Sequence, residues 1–274
     1  MISGRFGEKM KTDINNNLKK LVLERREIYK GDLILVNRQN PLQDIQPDEY
    51  NFRLIPADDR YEGILLKKTA ANMLSRLMTA CRAGDGIIPV SGFRSTVEQQ
   101  KLFIDSLREN GEEFTFKYVA FPNHSEHQTG LAIDMAENKE NIDFICPSFP
   151  YEGICQSFRE LAPKYGFIER YQKGREGITG ISHEPWHFRY VGYPHSLIIH
   201  TKGFTLEEYI DFLKGYPCEG EHLIFRNGEQ IIEIYYLEAS TQQTGICIED
   251  FTPYQISGNN VDGFIITIWR NGNG

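Results

Sequence analysis

In SEHQTGLAIDM, residues 125–135, Asp134 follows His127 by seven residues with a glycine between them. Some fifty residues further on, HEPWHFRYVG carries His183, Glu184 and His187. Imidazole and carboxylate together can form a structural hydrogen-bonded pair, or supply most of a metal site. HEPWH, 183–187, matches the HExxH pattern that sets two histidines on one helix face to hold zinc. Pro185 stands between these two histidines, and proline inside a helix costs roughly 3 kcal/mol. Gly192 and Pro194 leave no room for a helix of useful length, and PWHFRYVG has the aromatic and β-branched make-up of a strand. On a strand, His183 and His187 share a face but lie about 13 Å apart at roughly 3.3 Å per residue. One ligand is therefore expected from this segment, and His187 is the better candidate. Pro185 forces an extended backbone that could aim Glu184 at the same metal. His127 and Asp134 can supply two more ligands, and three protein ligands with one water are the pattern of a catalytic zinc.

The elements that must position these residues read as follows. DLILVNRQNPL, 32–42, is expected to be a strand turning at Asn40-Pro41. Leu65, Leu66, Ala70, Met73, Leu74, Leu77 and Met78 form a helical stripe that Gly84 ends. IIPVSGFRS reads as a buried strand. The helix after it has Ser95 as N-cap and Glu98 three residues on, a capping box. LAIDMA is a short strand, with Gly130 marking a bulge or a close backbone approach. SFRELAPKYGF is a helix closed by Gly166, and FTLEEYIDFLKG carries a second capping box, Thr205 and Glu208. Near the end, Asn227-Gly228 between apolar runs signals a type I′ hairpin, and FIITIWR is a further strand. LKKLVLERREI, within the polar first residues, has a short helical period. The layout is α+β: helices on a small central, mostly antiparallel sheet that carries the zinc site, with a β-rich C-terminal extension. The expected parts are an N-terminal arm (1–30), a catalytic domain (31–215) and the extension (216–274).

Composition narrows the function classes. With 40% hydrophobic and 12% aromatic residues the 274-residue chain has ample material for a packed core. A formal charge of -8 with no basic run argues against nucleic acid as a partner. The first residues hold no apolar stretch of signal-peptide type, and no segment approaches 18 consecutive apolar residues. Five cysteines, an odd number with no CxxC pair, read as reduced thiols in a cytoplasmic protein.

Three motifs taken jointly carry a resemblance. SEHQTGLAID looks like SxHxxGxAxD, EPWH like ExWH, and SGFRSTVEQQ like an SGxRS segment with its downstream glutamine. In that order, over about residues 88–195, they resemble the zinc D,D-peptidases that include the VanX, VanY and VanXY vancomycin-resistance enzymes. FTLEEYIDFL is similar to that family's closing helix. The resemblance implies that His127, Asp134 and His187 ligate one Zn²⁺ and that Glu184 is the general base. It implies that Arg94 polarises the scissile carbonyl, with Ser125 and Gln99 near the substrate carboxylate. The implied substrates are the D-Ala-D-Ala dipeptide and peptidoglycan precursor pentapeptides, cut in the cytoplasm in the VanXY manner.

Other readings stand beside these. Within the fold, an L,D-carboxypeptidase or an exported VanY-like wall-trimming enzyme shares the motifs. Outside it stands a non-catalytic zinc-binding module, against which Glu184 speaks, since a structural site needs no base. Arg94 could be a surface ion-pair partner and Ser125 a turn cap; Gln100 is as available as Gln99. Trp186 reads as core. His124, His183, His195 and His200 read as structural or supporting residues, with His183 foremost as a partner of a ligand. Residues 137–150 are the expected lid. The C-terminal extension is open to three uses: gating the cleft, forming a homodimer, or binding wall material.

Overall fold

The described chain, residues 18–43 and 53–270 of this computed structural model, opens on a strand where the sequence suggested a helix. β1 (Leu18–Glu24) pairs antiparallel with Gln243–Glu249, over two hundred residues away. Pairing imposes a period of two: Leu21 and Leu23 turn inward while Val22 is exposed. The rest of the polar arm, with Asn15, Asn16 and Asn17, lies outside the described residues.

A short 3₁₀ turn, Arg25–Tyr29, follows β1, and then comes an antiparallel ribbon of β2 (Leu54–Pro56) and β3 (Leu65–Lys67). α1 (Lys68–Ala80) begins only after β3, because the first residues of its apolar stripe are used in that ribbon. The site-bearing part continues with β4 (Ile87–Ser91), α2 (Thr96–Tyr118), β5 (Ala132–Glu137), α3 (Gly153–Leu161), β6 (Phe167–Tyr171), α4 (Glu176–Thr179) and β7 (Glu184–Tyr190). α5 (His195–Lys202) and α6 (Leu206–Lys214) lead to β8 (Leu223–Asn227), β9 (Gln230–Glu238), β10 (Gln243–Glu249), β11 (Tyr254–Gly258) and β12 (Gly263–Arg270). Both capping boxes form, at Ser95–Glu98 on α2 and at Thr205–Glu208 on α6. Gly111, at φ 79°, kinks α2.

The central sheet has the order β4-β5-β7-β6, antiparallel throughout. One face carries Ile133, Phe167 and Phe188, which bury against Leu74 and Leu77 of α1 and Phe158 of α3. A second sheet, β11-β12-β9-β8, packs Ile232, Ile234 and Ile265 on Leu206, Tyr209 and Leu213 of α6. Its other face, with Tyr235, Phe264, Ile266 and Ile268, is covered by Ile28, Ile246 and Ile248. The alternation of Ile265 with Phe264 and Ile266 is the period of a strand buried on both sides. The architecture is thus the expected α+β with a β-rich C-terminal part. Among the described residues no helix is long and apolar enough to cross a membrane.

Two local expectations change. Residues 32–42 form no strand, although Leu33, Ile34, Leu35 and Val36 are all buried. Their backbone groups are met from several elements: Ser257 Oγ accepts from Leu33 N–H at 2.9 Å, and Asn259 O accepts from Leu35 N–H at 3.0 Å. Arg189 donates to the carbonyls of Asp32 and Ile34, and Asn260 Nδ2 donates to Leu35 O at 2.7 Å. A turn does form, but it spans residues 37–40 rather than lying at Asn40-Pro41, and reciprocal backbone bonds between Asn37 and Asn40 close it. At the second site, β8 and β9 do make a hairpin, but Asn227 pairs with Gln230, so the two-residue loop is Gly228-Glu229. Of these two, Gly228 alone has positive φ, at 59°, whereas a type I′ turn requires both.

Asn260 also donates to the carbonyls of Asn40 and Pro41, so one side chain ties Leu35 to the end of the segment. Asn260→Ala is expected to cost about 1–3 kcal/mol by stranding buried carbonyls, read as a lower urea midpoint with unchanged m-value.

Candidate metal centre and active site

β5 and β7 lie side by side in a register that puts Asp134 directly opposite His187. On the other side of β5, Ser91 of β4 faces Asp134, so three strands contribute to one row. His127 comes from a 3₁₀ turn, Glu126–Thr129, that ends at Gly130 in the left-handed region with φ 68°. This is why a glycine stands between the two ligand positions: it turns the chain from the 3₁₀ turn into β5.

The three side chains converge. His187 Nδ1 lies 2.8 Å from Asp134 Oδ1, and His127 Nε2 lies 3.1 Å from Asp134 Oδ2. The ring centroids of the two histidines are 5.0 Å apart, edge to face. One donor atom from each residue falls within 4.8 Å of the others, and all three residues are buried. A tetrahedral ion at about 2.0–2.2 Å from each donor needs donors about 3.4 Å apart, so this set fits a divalent metal. The second nitrogen of each ring has its own partner. His127 Nδ1 meets Gly92 O at 2.7 Å, and His187 Nε2 lies 3.4 Å from Glu126 Oε2. Gly92 can be nothing larger, because a Cβ there would stand 2.4 Å from Leu65 O.

Electrostatics follow from the packing. Burial works against the charge of Asp134, yet His127 and His187 hold its carboxyl well below the usual range. Burial opposes protonation of His187, but its bonds to Asp134 and Glu126 push it up to about 10. Glu184 has the opposite environment. Burial drives its carboxyl up to about 8, His187 opposes the rise, and the charges of Asp134 and Glu126 add to it. Glu184 Oε2 lies 3.8 Å from His187 Nδ1. A carboxyl with its proton affinity near neutrality beside a metal-capable triad can take up and release protons there.

An irregularity in β7 reconciles the spacing of Glu184 and His187. Between the pairs Glu169↔Phe188 and Tyr171↔Glu184, β6 advances two residues while β7 advances four. The extra residues, at Pro185–His187, bring Glu184 onto the cavity that His187 also lines. Proline stands where ladder pairing lapses. Arg159 Nη2 holds this stretch by donating to Pro185 O at 3.0 Å.

A cavity of about 480 Å³ opens over the centre. Arg94, Ser125, Gln99, Tyr171 and Trp186 line it, as do Phe144 and Ile145 of the expected lid. Arg94 is half-buried; Nη1 donates to Gln99 Oε1 at 2.8 Å and Nη2 to Ser91 Oγ at 2.9 Å. It is therefore not an ion-pair partner on the surface. Gln99 is buried, Gln100 exposed, and the Gln99 amide also donates to Ala120 O at 2.7 Å. Ser125 sits at the N-cap of its 3₁₀ turn but its side chain makes no cap bond.

Of the remaining histidines, His183 stacks on Tyr151 and lies 2.7 Å from its hydroxyl, so it meets no ligand residue. His195 is core, bonded to Tyr209 and Thr267. His124 Nδ1 lies 2.9 Å from Asn37 O. The residue that sequence reasoning missed is Glu126. It is fully buried, bonded at one oxygen to Arg170 and Arg189 and turned at the other to His187. It occupies an unspecified position of the SxHxxGxAxD pattern, and its arginine partners lie more than forty residues away. No local signal marks it.

The chain is similar to known proteins over most of its length. Residues 63–193 match the model of the family described as VanY: D-alanyl-D-alanine carboxypeptidase. The bifunctional D-Ala-D-Ala dipeptidase and D-Ala-D-Ala carboxypeptidase VanXYC of Enterococcus gallinarum is 43% identical over 182 residues, 66% of this chain and 94% of that protein. The structure of the D,D-dipeptidase VanXYg with a D-Ala-D-Ala phosphinate analogue superposes with a TM-score of 0.88 at 54% identity, over 92% of this chain and 99% of that one. A D,D-pentapeptidase VanY from a VanB-type resistance cassette, solved with Zn(II), superposes at 0.51 and 32% identity, over 65% of this chain and 98% of that one.

The raised affinity of Glu184 has a thermodynamic consequence in the metal-free protein. From an ordinary value of 4.5 to about 8 in the fold, folding takes up a proton, so its contribution to stability is full below the lower value and lost as pH rises through the upper. In chelator-treated protein, melting temperatures from pH 5 to 8 are expected to fall more steeply for the wild type than for Glu184→Gln. Parallel curves would reject the assignment.

Proposed function

The chain belongs to the VanY family of D-alanyl-D-alanine carboxypeptidases, and on that premise we propose that it is a zinc-dependent D,D-peptidase hydrolysing D-Ala-D-Ala termini, in glycopeptide resistance. The observation that carries the reading is the convergence of His127, Asp134 and His187 beside Glu184 on the floor of one cavity. These three residues would hold the ion. When bound, zinc supplies Lewis acidity, making water a competent nucleophile near pH 7 and drawing charge from a carbonyl oxygen.

The protein groups do the rest. Glu184 accepts a proton from the attacking water and returns it to the leaving nitrogen, so that the C–N bond breaks to give a carboxylate and an amine. Burial favours this role, because it raises the carboxyl toward neutrality. Arg94 remains cationic and spends two of its five N–H groups on Gln99 and Ser91, leaving the others for the developing oxyanion. Gln99 acts through Arg94, which it holds at Nη1, while Ser125 offers a hydroxyl to the terminal carboxylate of the substrate. Both the free dipeptide and precursor pentapeptides are substrates in this reading, which the similarity to a bifunctional dipeptidase and carboxypeptidase supports. Five cysteines without a disulfide favour a reducing compartment, hence the cytoplasm.

Product analysis tests the reading. D-Ala is expected from D-Ala-D-Ala and from a muramyl pentapeptide, and none after chelation; release from a tetrapeptide instead would make it an L,D-carboxypeptidase. Glu184→Gln is expected to retain one equivalent of zinc with turnover lost. Arg94→Ala is expected to lower kcat by about 10²–10³ with the fold intact, and near-normal turnover would reject its role.

A further inference from the structure

His187 has two ring nitrogens, and the fold gives each a different carboxylate. Nδ1 lies 2.8 Å from Asp134, within the ligand triad; Nε2 lies 3.4 Å from Glu126 Oε2. Glu126 is 1% exposed and is not one of the three residues whose donor atoms converge. Its Oε1 accepts from Arg170 Nε and from Arg189 Nη1, each at 2.8 Å. Arg170 continues to Glu207 in the first turn of α6 through Nη1 at 2.9 Å and Nη2 at 2.6 Å. Arg189 continues to the carbonyls of Asp32, Ile34 and Tyr190. Two buried guanidiniums thus face two carboxylates, and the charges close without His187. The arginines need only one oxygen of Glu126, and the other is turned to the imidazole.

We infer that Glu126 is a positioning residue for the metal centre: Oε2 accepts the proton of His187 Nε2, which leaves the lone pair on Nδ1 for the metal. A neutral imidazole carries one N–H, and the acceptor beside one nitrogen decides which nitrogen can ligate. Here that acceptor is anchored through Arg170 to α6 and through Arg189 to residues 32–34. The carboxylate that orients this ligand on β7 is therefore held directly by Arg170 of β6 and Arg189 of β7. The inference rests on the zinc reading above.

The test compares wild type, Glu126→Gln and Glu207→Gln, each titrated with zinc in competition with a chromophoric chelator and each loaded with cobalt(II) for its visible spectrum. Glu126→Gln is expected to weaken zinc binding about 10–100-fold and to alter the cobalt absorption, as loss of a ligand's orienting partner does. Glu207→Gln removes a carboxylate charge from Arg170 alone, without touching His187. It is expected to melt at lower temperature, with zinc affinity within about twofold of wild type and the same spectrum. Wild-type affinity and spectrum in Glu126→Gln, or equal losses in the two variants, would overturn the inference. Should Glu126→Gln fail to fold, ¹⁵N NMR of the zinc-loaded wild type decides: a proton on His187 Nε2 supports the assignment, and a proton on Nδ1 sinks it. Wild-type protein that takes up no zinc brings down the zinc reading instead, so the two failures are distinct.

Discussion

Asp134 and His187 face each other across one antiparallel ladder, and the rest of the site is arranged around that pair. Opposed residues in such a ladder hold their Cβ atoms about 4.5–5.5 Å apart, close enough for a carboxylate and an imidazole to share an ion. The register is secured from the other face of the sheet. Ile133 and Phe188, opposite each other and one step along from the pair, are buried among Leu74, Leu77 and Phe158. A slip of one residue would carry these apolar groups to the polar face and the two ligands into the core. Hydrophobic burial, with no metal chemistry of its own, thus determines where Asp134 and His187 point.

The second constraint is desolvation. Glu126, Asp134 and Glu184 are all buried within a few residues of one another in space, and an unpaired buried charge is costly. The fold treats them differently. Burial opposes the charge of Glu126, but Arg170 and Arg189 hold it well below the usual carboxylate range. Asp134 is stabilised by the two histidines. Burial raises the proton affinity of Glu184, and the anions Asp134 and Glu126 add to the rise, with no arginine bonded to it among the described residues. One chemical group, the carboxylate, meets three environments because its neighbours differ, and in the proposed reading it serves as anchor, ligand and proton carrier.

The part of the chain from α6 onward contributes to this site without a described residue in the cavity lining. Its sheet packs on α6, whose Glu207 grips Arg170, and through Arg170 reaches Glu126. The irregular stretch at 32–36 is bonded on one side to Ser257, Asn259 and Asn260 and on the other to Arg189. Buried polar networks of this kind rigidify what they connect when every member is satisfied. They join the β-rich extension to the carboxylate behind His187, although none of its described residues lines the cavity.

What the chain's own order determined was local. Residue types and spacing brought His127, Asp134, His187 and Glu184 forward as candidates, the family resemblance added Arg94, and Pro185 argued against the helical arrangement of HEPWH. Cap patterns located the starts of α2 and α6, and the glycine after Asn227 located a hairpin. Each of these signals acts over a few residues, through backbone sterics or a side chain reaching its own turn. Tertiary structure alone decided the rest. Residues 18–24 became a strand because Gln243–Glu249 offers them a ladder, and 32–42 gave up strand form because side chains from three other elements meet its backbone groups. The extra residues of β7 brought Glu184 beside His187, and two distant arginines made Glu126 an anion at the back of a ligand. Hydrogen-bond partners and desolvation depend on what folds against a residue, and no spacing along the chain encodes that.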